Sequence, residues 1–167
     1  LQKYIPNDSS NTMLILRALT SGSIGAVTAT IVENTITRQQ VMQGKFIPTL
    51  RDMWNISPSR VFKTYPLIAI RDSIFTLNLF FLHPKVERYL KDKYSDRFLS
   101  SSYFSAIPLS VLGATLSHPF DTLATNLQKT HEKSDYQKIL KELLNSQLGF
   151  RSLFRGLFAR IPLFYGF

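Results

Sequence analysis

The sequence predicts an all-helical membrane protein built from two related halves. Three observations lead to this prediction. The 167 residues are 44% hydrophobic and only 19% charged, which is apolar for a soluble domain of this size. Long apolar stretches recur along the chain, and similar motifs return about ninety residues apart. The mean hydropathy of −0.01 is low for helices that face lipid on every side, so we expect a polar interior.

The composition argues against several classes of function. A net charge of +9 could serve nucleic acid, but the Lys and Arg residues lie scattered between apolar segments, and no aromatic RNA-binding signature is present. They fit anionic lipid headgroups better. Cysteines are absent, and His83, His118 and His131 have no metal-ligand spacing. We therefore expect no nucleic-acid partner, no metal and no enzymatic activity.

Four apolar stretches are interpreted as membrane spans: Met13 to about Thr37, Tyr65 to about Leu82, Phe98 to about Thr125, and Leu157 onward. The third begins with 23 residues, Phe98 to Phe120, that include no Lys, Arg, Asp or Glu. Roughly 20 apolar residues suffice to cross a bilayer as a helix. A buried core helix of a soluble protein is the alternative for this segment.

Short segments between the spans predict further helices. "SDYQKILKELLNS" places its apolar residues on one face, which is typical of an interfacial helix or of a surface helix in a soluble bundle: Tyr136, Ile139, Leu140, Leu143 and Leu144. "FIPTLRDMWN" occupies the same place between the first two spans. In the first span, "SGSIGA" (Ser21 to Ala26) gathers small residues that let membrane helices approach closely, with a loose turn as the alternative.

An internal repeat connects the two halves. Residues 24–40 match residues 112–128 at an offset of 88, with Glu33 on Asp121 and four identical pairs at Gly25/Gly113, Ala26/Ala114, Thr37/Thr125 and Gln40/Gln128. Phe46 pairs with Tyr136 at an offset of 90, and residues 61–65 pair with 153–157 at an offset of 92. The chain thus divides into repeats 1–96 and 97–167.

These motifs resemble the mitochondrial carriers, a family with three repeats that each contribute two spans joined by a short matrix-side helix. The family motif P-x-[DE]-x-x-[KR]-x-[KR], usually followed by Gln, is matched in part by Pro119, Asp121 and Gln128, and by Glu33, Arg38 and Gln40. The resemblance implies that this chain holds the second repeat and a third repeat truncated at its C-terminus. Both ends would then be cuts in a longer protein.

In the family, the motif acids pair with bases of the next repeat and form a gate, and the motif proline bends the helix inward. Here the expected bases are replaced by Ile36 and Ala124, and Ile31 stands where the first proline belongs. We therefore expect Glu33 to lack a partner in this chain and Asp121 to pair with a base outside it. On the opposite side, "FLHPK" retains the aromatic residue and Lys85 of a second gate, without its acid.

The predicted substrate site lies in the second span, where Arg71 and Asp72 interrupt an apolar run. Charges inside a membrane are costly and usually face a cavity, and adjacent residues on a helix point about 100 degrees apart, so we expect no pairing between these two. The resemblance implies a substrate contact point of the kind found in carriers of amino acids. Its counterparts Leu163 and Phe164 are uncharged, which leaves Arg160 as the other candidate cation.

The resemblance also implies a lipid site and a function. Cardiolipin would bind at the aromatic-basic-Gly step, which is complete at Phe154, Arg155 and Gly156 and partial at Phe62 and Lys63. We expect a multi-pass transporter of the inner mitochondrial membrane, monomeric at full length, that exchanges a small charged metabolite by alternating access. A transport-dead structural or interaction subunit is the first alternative, and a soluble basic helical bundle is the second.

Overall fold

A computed structural model describes residues 11–93, 102–129 and 135–158, and all its regular elements are helical. The helices are α1 (Asn11–Met42), α2 (Phe46–Ile56), α3 (Pro58–Val61), α4 (Tyr65–Leu77), α5 (His83–Lys93), α6 (Ser102–Lys129) and α7 (Tyr136–Leu144). A π-helical segment, Asn78–Leu82, joins α4 to α5, and a 3-10 segment, Gly149–Phe154, follows α7. The prediction of an all-helical protein is confirmed for these residues.

The two halves present their helices in the same order, a long helix, a short helix and a short helical turn. Helix α2 begins at Phe46 and α7 begins at Tyr136, the pair that the sequence aligns at an offset of 90. Both helices begin with an equivalent backbone hydrogen bond: Thr49 N donates to Lys45 O (3.1 Å), and Ile139 N donates to Asp135 O (3.2 Å). Both start after an extended residue whose side chain makes no capping bond.

Helix α4 lies against both α1 and α6 and joins these two long helices. A small buried core marks this junction, made of Ala26 on α1, Ile68 on α4 and Ala124 on α6. Two of these three residues are alanines, so the helix backbones pass close to one another. The close passage brings side chains near the junction within reach of all three helices.

The contact between α1 and α4 depends on small and hydroxylated residues. A Cβ atom at Gly22 would lie 2.6 Å from Ser73 Cα, so only glycine fits at this position. Thr76 Oγ1 donates to Ala18 O (2.7 Å) and Ser73 Oγ donates to Leu19 O (3.1 Å) across the same contact. The small-residue face predicted in "SGSIGA" is therefore a packing surface through Gly22, whereas Gly25 faces open space.

The buried residues of α1 are small or polar, and many of its large apolar side chains are exposed. The buried residues are Ala18, Gly22, Ala26, Thr30, Asn34 and Thr35. Large apolar side chains are exposed around them, including Ile24 (67%) and Leu16 (54%). A soluble helix normally buries its apolar face, because burial of apolar area drives its packing. The reversed distribution suits a helix surrounded by lipid.

Two helices, Asn11–Met42 and Tyr65–Leu90, are long and apolar enough to cross a membrane. Only 22% and 17% of their most apolar windows are buried, unlike the core helix of a soluble protein. They indicate membrane association. Helix α6 (28 residues) is long enough for the third predicted span but is not one of these two, and Ser, Thr, His and Pro interrupt its apolar sequence. Most of the fourth predicted span lies outside the described residues.

Candidate functional site

Arg71 is the centre of an ion-pair network that joins α1, α4 and α6. Its Nη2 donates to Glu33 Oε1 (2.6 Å) and its Nη1 donates to Glu33 Oε2 (2.8 Å), a two-pronged contact with α1. Nη1 also donates to Asp121 Oδ1 on α6 (3.0 Å), and Nε donates to Asp72 Oδ1 on α4 (2.8 Å). One guanidinium therefore contacts three carboxylates from three helices.

The two kinds of charge in this network differ in exposure. The Arg71 side chain is 10% exposed, whereas those of Glu33, Asp72 and Asp121 are 36%, 23% and 25% exposed. A guanidinium buried this deeply requires carboxylate partners, because an unpaired buried charge is strongly destabilising. Its planar fork suits several carboxylates at once, which an ammonium group does not match.

This geometry corrects three expectations about pairing. Glu33, expected to lack a partner in the chain, makes the two-pronged contact with Arg71, and Asp121 contacts the same residue rather than only a base elsewhere. Arg71 and Asp72, expected to point apart, form an ion pair at 2.8 Å. The long, flexible Arg side chain brings its Nε back to the neighbouring carboxylate even though the two Cα–Cβ bonds diverge.

The two positions without the family's base have different surroundings. Ala124 is 2% exposed and packs where α1, α4 and α6 meet, so a larger side chain would push these helices apart. Ile36 is 41% exposed on the outer surface of α1. Arg71 reaches both carboxylates from α4, so each of the two acids has a basic partner without a base at either motif position.

The remaining predicted gate residues form no single cluster in the described part of the chain. Gln128 accepts a hydrogen bond from Thr37 Oγ1 (3.0 Å), which links α6 to α1. Gln40 is exposed, and Arg38 lines a cavity of about 330 Å³ between the end of α1 and α2. Pro119 lies inside α6, which continues from Ser102 to Lys129. Lys85 on α5 lies over the Phe81 ring, 4.2 Å from its centroid.

Equivalent contacts, made by residues outside the motifs, attach the long helices α1 and α6 each to the turn after the next short helix. In the first half, Asn34 Nδ2 donates to Val61 O (2.5 Å) and to Thr64 Oγ1 (2.9 Å). In the second half, Thr122 Oγ1 donates to Leu153 O (2.9 Å). The offsets of 88 and 92 residues relate Asn34 to Thr122 and Val61 to Leu153, so the alignment contained the signal that could have found them.

The predicted lipid-site residues lie at the two turns, each beside an aromatic contact. Phe62 meets Trp54 edge to face at 6.3 Å, and Phe154 stacks on His118 at 6.4 Å. His118 is buried, and its Nε2 lies 3.1 Å from Arg155 O. Gly156 has a φ of +91°, a conformation that favours glycine. Arg160, the second candidate cation of the substrate site, lies outside the described residues.

A tyrosine links the two halves near these turns. The Tyr136 hydroxyl, on α7, donates to the carbonyl of Lys63, the residue before Thr64 and α4. Burial, together with the neighbouring Asp135 carboxylate, raises the pKa of Tyr136. The phenol therefore stays protonated and able to donate over a wider range of pH than a free tyrosine.

No protein-family model, curated protein or solved structure matches this chain.

Proposed function

We propose that the chain is part of a secondary transporter of the mitochondrial-carrier type, which exchanges a small charged metabolite across the inner mitochondrial membrane by alternating access. The observation that carries the proposal is the network around Arg71. It joins Glu33 and Asp121, which occupy equivalent places in the internal repeat, through a buried base on the helix between them. Charged residues inside a membrane are costly, and those that occur usually pair with one another and mark substrate or ion pathways.

Two further features support the proposal. Most large exposed side chains of α1 are apolar while its buried ones are small or polar, as expected for a helix with lipid on one side and a hydrophilic pathway on the other. The two halves also repeat their helix order and their contacts between helix and turn. Transporters commonly arise from such repeats and place the substrate where the repeats meet.

In this mechanism the network is a gate held closed by charge. Arg71 ties α1 to α6 through Glu33 and Asp121, and opening requires at least one of these contacts to break. The cost of separating the charges is low enough for reversible opening only if water or a substrate replaces the lost partner. Amino acids or related carboxylates are the metabolite class suggested by the adjacent Arg71 and Asp72.

The test is exchange by the full-length protein that carries this chain, purified and reconstituted into liposomes with cardiolipin. Radiolabelled amino acids, carboxylates and nucleotides are offered outside while the same panel is loaded inside. We expect saturable uptake that depends on an internal counter-substrate. Uptake without saturation, equal to that of protein-free liposomes for every solute, would contradict the proposal.

The alternative is a transport-dead membrane subunit, and one observation favours it. Neither half has a base at the family's motif position, Ile36 or Ala124, and the base that replaces them contacts three carboxylates at once. An arginine shared by three carboxylates also suits a permanent structural contact between helices. Under this alternative, the protein is inactive in exchange and copurifies with a stable membrane complex from its native source.

A further inference from the structure

The cavity between the end of α1 and α2 has a volume of about 330 Å³, which is within the range of small-molecule sites in proteins. Its lining residues on α2 and its N-cap lie three or four residues apart, on one face of the helix: Lys45, Thr49, Asp52 and Ile56. Helix α1 contributes Arg38 and Met42 from its last turns. The cavity shares no residue with the network around Arg71 or with the turns predicted to bind cardiolipin.

The charges that line this cavity are unbalanced. In the part of the chain that the structure describes, neither the Arg38 nor the Lys45 side chain forms an ion pair or a hydrogen bond. The Asp52 carboxylate is unpaired there as well. Two cations against one carboxylate leave the cavity positive. A phosphate monoester, which carries about two negative charges at neutral pH, matches these two cations.

Lys45 occupies a position where a cation weakens the helix. It is the N-cap of α2 and makes no capping hydrogen bond. N-caps favour Ser, Thr, Asp or Asn, and the helix dipole disfavours positive charge at a helix N-terminus. In the second half, the equivalent N-cap is Asp135, and the residue aligned with Arg38 is Asn126. The repeat therefore requires neither cation, and a bound anion would offset the charge that both introduce.

We propose that this cavity, whether or not the protein transports a solute, binds a phosphate monoester of a small hydroxylated molecule. Arg38 and Lys45 bind the phosphate, because their N–H groups supply both donors and charge to its oxygens. Asp52 accepts a hydrogen bond from a hydroxyl group of the ligand. Thr49, only 6% exposed, donates to Lys45 O (2.8 Å), so its oxygen can accept from a second hydroxyl. The ligand is either a free ester or the phosphorylated headgroup of a lipid.

The experiment measures the Tm of the full-length protein in a nonionic detergent while glycerol 3-phosphate is titrated at constant ionic strength. We expect a saturable rise in Tm, and no rise with glycerol or with sulfate. Arg38→Gln should raise the Kd about ten- to a hundredfold, as expected for the loss of a charge-assisted hydrogen bond. Arg51→Gln removes an exposed cation of α2 that does not line the cavity, and this matched control should leave the Kd unchanged.

Lys45→Asp is a second test, in which stability and binding change in opposite directions. Aspartate suits the N-cap, so this variant should have a higher Tm than wild type without ligand, and it should lose the response to glycerol 3-phosphate. An unchanged response in Lys45→Asp or Arg38→Gln overturns the site. An equal loss in Arg51→Gln, or an equal rise in Tm with sulfate, overturns it as well, because either result shows a general effect of charge.

Phosphatidylinositol 4-phosphate in mixed micelles distinguishes the two sources of the ligand, with phosphatidylinositol, which lacks the phosphate monoester, as the control. A rise in Tm with this lipid but not with glycerol 3-phosphate, reduced in Arg38→Gln, assigns the site to a lipid headgroup. A rise with glycerol 3-phosphate alone assigns it to a free ester. No rise with either ester overturns the phosphate site.

Discussion

Arg71 shows how one buried base can organise several acids. Its contacts reach 38 residues back to Glu33 and 50 residues on to Asp121. Glu33 binds with both oxygens and Asp121 through one contact at 3.0 Å. A two-pronged guanidinium–carboxylate pair is stronger and more directional than a single contact. Arg71 therefore holds the two aligned acids unequally.

We predict that Glu33→Gln lowers stability and exchange more than Asp121→Asn does. Loss of the two-pronged contact should cost about 1.5–3 kcal/mol of unfolding free energy, and loss of the single contact less. The measurement is the detergent-solubilised Tm of each variant, together with exchange in liposomes. Repeating both substitutions with Arg71 changed to Met is the control, because the part of each effect that comes from contact with Arg71 should then disappear. A larger effect of Asp121→Asn would contradict this ranking.

At the scale of elements, the contact between α1 and α4 depends on backbone proximity. Gly22 lies on Ser73 with no room for a methyl group, whereas a Cβ at Gly25, three residues later on α1, would meet no atom within 4 Å outside its own helix turn in the described part of the chain. The two glycines therefore have opposite consequences for stability. One permits helix packing, and the other costs helix propensity without a packing benefit.

We predict that Gly22→Ala destabilises the protein by about 1–3 kcal/mol, because a Cβ at 2.6 Å from Ser73 Cα forces the helices apart. Gly25→Ala should instead stabilise it by about 0.5–1 kcal/mol, the gain expected for alanine over glycine inside a helix. Thermal unfolding in the same detergent measures both. Equal shifts in the same direction would show that the close contact is absent.

The hydrogen bond from Tyr136 on α7 to the Lys63 carbonyl predicts that the stability of the protein depends on pH. Because burial raises the folded-state pKa of Tyr136 above its unfolded value, its contribution to stability is complete below about pH 10. That contribution is lost as the pH rises through the folded-state pKa, when the phenol can no longer donate to the Lys63 carbonyl.

We therefore expect the Tm of wild-type protein to fall more steeply above about pH 10 than the Tm of Tyr136→Phe. The variant should be less stable at neutral pH, since the bond is missing, and the two curves should converge at high pH. Tyr89→Phe, which alters an exposed tyrosine on α5, is the control. Parallel curves for wild type and Tyr136→Phe would contradict the assignment.

At the scale of the whole molecule, the exposed apolar side chains and the polar buried contacts both fit a lipid environment better than water. In water, the large exposed side chains of α1 and α4 would drive aggregation, whereas in lipid they are solvated. The polar contacts inside gain from the same environment, because few competing water molecules reach them.

We predict that the protein stays in the membrane fraction after washing with high salt and with alkaline carbonate, and is released by detergent. A peripheral protein held by its net charge of +9 would be released by salt, since screening removes its attraction to anionic lipid. Recovery of a folded monomer in detergent-free buffer would contradict membrane insertion.

Cardiolipin should stabilise the purified protein through the second turn. Arg155 is an exposed cation beside Gly156, at the turn where the family resemblance implies cardiolipin, so Arg155→Gln should reduce the rise in Tm that cardiolipin produces. Arg151→Gln changes another exposed arginine nearby and is the control. An equal response of both variants and wild type to cardiolipin would remove Arg155 from the lipid site.

The sequence by itself determined the helical class, the short helices that begin near Phe46 and Tyr136, and the stretch of small residues through which α1 packs. These features depend on local periodicity and residue size, which are properties of neighbouring residues. The partner of Glu33 and Asp121 was decided only by the tertiary structure. Motif positions pointed to Ile36 and Ala124, but packing of three helices brought Arg71 to both acids across 38 and 50 residues. Ion pairing depends on distance in space, and no spacing along one helix specifies it.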